Sequence, residues 1–173
     1  KNKYQLIREL IDTNTLRQYH TDYSSEDLQQ KGALTFYFNS SELKHIIHTY
    51  TQGNFKFKEE FYVWDEQLFF QYSTQEIWYQ DLQKHRYGKR KLINVTLNLE
   101  ERFYFKDRNI IKCQFKKFEN RSNSQKKIKS TSIKNIKVNC DQAQHYLKKF
   151  DALLKFQKNT VQDACNLPKS IIY

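Results

Sequence analysis

The chain has 173 residues, a hydrophobic fraction of 38% and a formal net charge of +11. With three Gly and one Pro it is neither collagen-like nor a Gly/Pro-rich disordered chain, and it carries no glycine pattern for a phosphate-cradling loop. The length suits one domain with its own core, and 12 Tyr and 13 Phe make that core one of rings more than of aliphatic side chains.

Tyr4, Ile7, Leu10 and Ile11 recur at helical spacing and Leu16 and Tyr19 continue the stripe, which predicts a helix over 4–19. A polar connection follows, ending at Gly32. The next feature occurs three times. Phe36-Tyr37-Phe38 precedes Asn39-Ser40-Ser41, Phe61-Tyr62-Val63-Trp64 precedes Asp65-Glu66-Gln67, and Phe103-Tyr104-Phe105 precedes Lys106-Asp107-Arg108-Asn109. Each copy continues into a second apolar run. Aromatic and β-branched residues on both sides of a short polar turn predict a β-hairpin, and three in series predict an antiparallel sheet over 34–118. Residues 43–50 fit a helix turn as well as a strand, and their place after the first triplet argues for the strand. Residues 84–91 are basic, contain Gly88 and read as a loop.

Residues 119–137 are rich in Lys, Ser and Asn and predict a mobile basic loop. A second helix is predicted over 141–158. Asp141 opens it with Gln144 three residues on, and Ala143, Tyr146, Leu147, Phe150, Leu153 and Leu154 form its apolar stripe. The tail over 159–173, with Pro168, reads as irregular. The expected fold is therefore α+β: a single domain over 1–173, with one antiparallel meander sheet of consecutive hairpins and an N-terminal and a C-terminal helix packed on it.

Side chains alternate across a strand, so Phe36 with Phe38, Phe61 with Val63 and Phe103 with Phe105 share one face. That face is the expected core, covered by both helices. Tyr37, Tyr62, Trp64 and Tyr104 fall on the other face, with Lys58 and Arg102 beside them. Rings stack on sugars or bases and cations hold anions, which makes Tyr62, Trp64, Tyr104, Lys58 and Arg102 the candidate ligand or partner platform. The plainer reading of the same residues is cross-strand tyrosine pairing on a half-solvated sheet.

No nucleophile elbow, P-loop, Rossmann pattern or HExxH occurs, and no catalytic residue is assigned. His45 and His48 are the one close histidine pair. On a strand they point to opposite faces and cannot share a metal, so no metal or other cofactor is expected. Asp65 and Asp107 recur at turns, where Asp is a folding signal and not half of an acid–base pair. Three matches to the N-glycosylation sequon begin at Asn39, Asn94 and Asn120, as chance allows in a chain this rich in Asn and Ser.

The cysteines are Cys113, Cys140 and Cys165, spaced like neither a zinc site nor a redox pair. One disulfide with a spare thiol suits an exported protein. A Cys140–Cys165 bridge is not expected, because the short tail would have to run back along nearly the whole last helix. No run reaches the length of a membrane span, and no residue is Met. The expectation is a chain that begins after a removed signal peptide and works in the periplasm, outside the cell or at its surface.

The hairpin repeat and its leading helix resemble a group of uncharacterised exported Bacteroidetes proteins, whose strands read Tyr-Tyr-Phe-Asp-x-Gly-x-Leu. The matching stretches are Phe61 to Leu68 and Glu101 to Ile110, with Gln67 and Asn109 where that pattern has Gly. The likeness covers about residues 4–118, and MORN-type hairpin repeats are more distantly similar. The resemblance implies an antiparallel sheet and a periplasmic or cell-surface location, and it implies no activity.

The leading expectation is a non-enzymatic exported binding or protein-interaction module with a protein or anionic partner. One rival is a nucleic-acid or polyanion binder using the basic aromatic sheet face and the 126–137 segment. Against it, Lys far outnumbers Arg, as the composition of an AT-rich genome would dictate, and specific nucleic-acid readers lean on Arg. The other rival is an enzyme whose site is assembled from scattered residues, which a pocket of polar groups with shifted pKa values would favour.

Overall fold

The computed structural model describes residues 2–25, 29–84, 88, 90–158, 167, 168 and 171. Helix α1 spans Lys3–Asp12, and its Asn2 cap accepts a hydrogen bond from the Tyr4 backbone N–H. Eight strands follow: β1 Arg17–Ser25, β2 Gln30–Asn39, β3 Glu42–Gln52, β4 Phe55–Trp64, β5 Gln67–Lys84, β6 Arg90–Lys106, β7 Asn109–Arg121 and β8 Ile136–Lys137. Helix α2 spans Ala143–Lys158. The strands form one antiparallel sheet in chain order, β1 to β8, so the expected meander is the fold.

The first helix is shorter than its apolar stripe suggested. It stops at Asp12, and residues 17–25 form strand β1 along the sheet edge. Of β1 only Tyr23 is buried, so an edge strand that buries one ring shows no period-2 signal. The ambiguous residues 43–50 belong to strand β3. The 119–137 segment begins as the end of β7, makes a 3-10 turn at Ser130–Ser132 and adds β8 to the edge. It is tied back by Lys116 Nζ donating to the Ser130 carbonyl at 3.1 Å and by the Ile128 N–H donating to Asn120 Oδ1 at 2.7 Å. The predicted tail, with Cys165, lies outside the described residues except for Leu167, Pro168 and Ile171.

Hairpin chemistry explains the meander. Asp65 and Glu66, and likewise Asp107 and Arg108, occupy left-handed backbone at φ 49° and 58°, and 48° and 61°. A two-residue turn with both φ values positive matches the twist of the strands it joins. Gln67 and Asn109, where the resembled pattern has Gly, are instead the first residues of β5 and β7. All three repeats carry a bulge one step into the hairpin, at Tyr37/Phe38, Tyr62/Val63 and Tyr104/Phe105. The extra residue on the returning strand is Lys44, Phe69 or Ile111.

The helices take opposite faces, and do not share one as the sequence suggested. Phe36, Phe38, Phe61, Val63, Phe103 and Phe105 pack with Tyr146, Leu147, Phe150 and Leu153 of α2. Tyr62 and Phe70 pack with Ile7 of α1 on the other side. Two apolar faces therefore need two helical covers, and the molecule is a three-layer stack. A disulfide joins Cys113 of β7 to Cys140, three residues before α2, and fixes where that helix starts over the sheet.

Candidate functional site

The platform residues lie on the face under α1. Tyr62 is only 1% exposed, with the Tyr4 ring 5.0 Å away. Trp64 is half-buried with Lys44 Nζ 3.9 Å above its ring. Tyr104 is half-buried, and its hydroxyl donates to Gln114 Oε1 at 3.2 Å. Lys58 Nζ pairs with Glu60 Oε1 at 2.7 Å. Arg102 covers the Tyr72 ring at 4.6 Å and bonds Glu100 Oε2 at 2.7 Å. The structure brings the five residues to one face, covers Tyr62, and engages both cations with neighbouring carboxylates.

A different site lies on the other face. The pairing register lines up His48, Glu59, Ser73, Glu101 and Phe115 in one row across β3 to β7. The next row toward the open end is Tyr50, Phe57, Gln75, Leu99 and Lys117. Above them stand Gln142, His145 and Tyr146 at the start of α2. Between the helix and the two rows is a cavity of about 280 Å³, walled by Tyr50, Phe57, Phe115 and Tyr146 and floored by Glu59, Ser73 and Glu101.

Glu59 anchors a buried chain of hydrogen bonds. Its Oε2 meets Lys149 Nζ at 2.6 Å and His48 Nδ1 at 3.1 Å, and its Oε1 accepts from the Tyr50 hydroxyl at 3.3 Å. His48 Nε2 lies 2.7 Å from the Tyr23 hydroxyl, which accepts from Gln30 Nε2 at 3.2 Å. With His48 neutral, one arrangement satisfies the chain: Nδ1–H donates to Glu59, and Nε2 accepts from Tyr23. Burial drives the His48 pKa down, against the pull of Glu59, which keeps the ring neutral. Burial pushes the Glu59 carboxyl up, but Lys149 and His48 outweigh it and hold the carboxylate ionised. Burial, then Glu59, raises the Tyr50 and Tyr146 hydroxyls far above their usual range.

Gly32 makes this chain geometrically allowed. It pairs with Tyr23, and a Cβ there would sit 2.6 Å from the Tyr23 Cζ and hydroxyl and 2.6 Å from the Thr49 carbonyl. The bare backbone lets the ring cross to His48.

Glu101 is held differently. It accepts from the Tyr146 hydroxyl at 3.2 Å and from the Ser73 hydroxyl at 3.4 Å, and no described cation lies within ion-pair distance of it. Burial lowers the pKa of His145 at the cavity wall, with Lys149 next in effect, so that ring is neutral near pH 7. Ser73 has hydrogen-bond contacts with Tyr146 and Glu101, and burial keeps the Tyr146 hydroxyl protonated, so the tyrosine cannot take the serine's proton. The arrangement offers a negative charge, hydroxyls and ring faces, which are the components of recognition.

Sequence parity held a signal for this site. Glu59 and Glu101 each stand two residues before the first Phe of a triplet, Phe61 and Phe103, and so share the core face with it. Two acids at one repeat position on an apolar face are the departure that marks the site. Among the described residues no group of three His, Cys, Asp or Glu could hold a metal, and no helix is long and apolar enough to cross a membrane. Comparison with protein-family models, curated proteins and solved structures gives no match.

Proposed function

We propose that the chain is a non-enzymatic binding module of an exported protein that holds a small ligand in the cavity between α2 and the sheet. The observation that carries the reading is the cavity itself. At about 280 Å³ it is near the lower end of small-molecule sites, and ring walls with a few convergent polar groups are their usual lining. The buried chain from Gln30 to Lys149 sets its floor without presenting a reactive group, because each member already has its partner. That argues for binding over catalysis. The Cys113–Cys140 disulfide supports export, since such bonds persist in oxidising compartments.

A ligand-observed NMR screen of small soluble fragments tests the reading. Fragments that bind the wild-type chain should be released by His145→Trp, which fills the cavity from its wall. Fragments that bind both proteins equally, or none at all, would count against it.

A second reading, polyanion binding, is favoured by the long β5–β6 hairpin. Trp78, Leu82 and Leu92 are exposed on it, and Lys84, Arg90 and Lys91 stand near its end. Affinity for single-stranded nucleic acid that persists near physiological salt and falls steeply above it would favour this reading.

A further inference from the structure

The walls and charges of the cavity narrow the class of ligand, granted the binding reading above. The chain carries +11 overall, yet the cavity floor presents two carboxylates. Glu59 is neutralised by Lys149 at 2.6 Å, so that pair adds no net charge. Among the described residues Glu101 is left without a counter-charge, because its hydrogen-bond partners are two neutral hydroxyls and His145 is neutral. Glu101 is half-buried, so its charge is only partly solvated, and a ligand cation would supply the missing counter-charge.

The rings point the same way. Tyr50 and Phe57 stack at 4.5 Å with 13° between planes, and Phe115 and Tyr146 also line the space. The face of an aromatic ring is its negative side, and rings around a carboxylate attract organic cations. The N-terminus of α2 at Gln142 opposes this, with a partial positive charge of about half an elementary unit. A formal charge on Glu101 exceeds that, and the end of a helix acts only within its first turn.

We infer that the cavity takes a small organic cation, an alkyl- or arylalkyl-ammonium group, with its charge against Glu101 and its apolar part between the rings. Tyr146 and Ser73, which hydrogen-bond Glu101, hold that carboxylate facing the cavity. Lys149 has a separate part: it neutralises Glu59, so the recognition charge is a single one.

Three nearly isosteric probes test this by titration calorimetry: 2-phenylethylammonium, 2-phenylethanol and 3-phenylpropanoate. The ammonium should bind at least about tenfold tighter than the alcohol, and the carboxylate should be weakest. Glu101→Gln should reduce the ammonium's advantage to about twofold or less while leaving the alcohol unchanged. Because the wild-type series carries the comparison, a poorly folding Glu101→Gln protein would not spare the idea. Carboxylate binding as tight as ammonium binding would overturn it, and so would an unchanged preference in Glu101→Gln. If the alcohol binds as well as the ammonium and His145→Trp releases both, the ligand class fails and the cavity reading stands. If no probe binds either protein, both fail.

Discussion

Lys149 Nζ lies 2.6 Å from Glu59 Oε2, with Lys149 1% and Glu59 4% exposed. One residue comes from α2 and the other from the middle of the sheet, so the pair fixes both the height and the register of the helix. Removing one partner of a buried pair leaves an unmatched charge, which typically destabilises by about 3–5 kcal/mol. Lys149→Met should show a loss of that size in urea unfolding. Adding Glu59→Gln to it should recover most of the loss. Additive losses in the double variant would mean that the two side chains do not act together.

Acid should destabilise the fold in two stages. His45 and His48 are fully buried and burial lowers both pKa values from 6.5. Below pH 6.5 the unfolded chain binds protons that the folded chain resists, so stability falls as pH falls. The slope approaches about 1.4 kcal/mol per pH unit for each histidine. Glu59 and Glu60 act lower. Their folded pKa values are depressed from 4.5, Glu60 to about 2, so their stabilisation is present above pH 4.5 and is lost as pH falls toward 2. Urea midpoints between pH 5 and 8 should therefore rise and level off near neutrality. His48→Gln should remove about one proton's worth of that slope.

Gly32 should tolerate no side chain. Gly32→Ala puts a methyl against the Thr49 carbonyl, which cannot move without disturbing the β2–β3 ladder, and overpacking of this kind costs about 1–3 kcal/mol. Tyr23→Phe leaves His48 Nε2 without its donor, at about 1–3 kcal/mol. Since the alanine also displaces the Tyr23 ring, the double variant should lose less than the sum of the two. Thermal melts of the three proteins give the comparison.

The disulfide should matter through the chain it closes. Cys113 and Cys140 are separated by 27 positions, for which loop-closure entropy gives about 3–4 kcal/mol. A reductant should lower the urea midpoint of the wild-type chain accordingly, and Cys140→Ser should no longer respond to it.

The sheet was legible because its signals are local: each triplet with its polar turn specifies a hairpin by itself. The second helix was legible to within two residues, 141–158 against Ala143–Lys158, for the same reason. Strand β1 was not, since its nine residues bury only Tyr23, and an edge strand draws its stability from its neighbour's backbone. The division of the helices between the two faces was hidden because both faces carry rings. Parity puts Tyr62 on the face opposite Phe61, and parity does not say that α1 lies over it. The cavity floor needs the register of five strands at once, which spacing within one segment cannot supply. Even so, Glu59 and Glu101 stood at core parity in the sequence. Gln71 did not: the bulge at Phe69 turns it to the core face, where it is fully buried between Phe61 and Phe103, with no hydrogen-bond partner for its amide among the described residues.

The most direct measurement is an amide NMR titration of the wild-type chain with 2-phenylethylammonium at neutral pH. We expect saturable shifts confined to the cavity, at Ser73, Thr74, Glu101, His145 and Tyr146, with residues on the α1 face such as Tyr62 and Trp64 unmoved. Shifts centred on the β5–β6 hairpin near Trp78, or no saturable shift at all, would contradict a ligand site beneath α2.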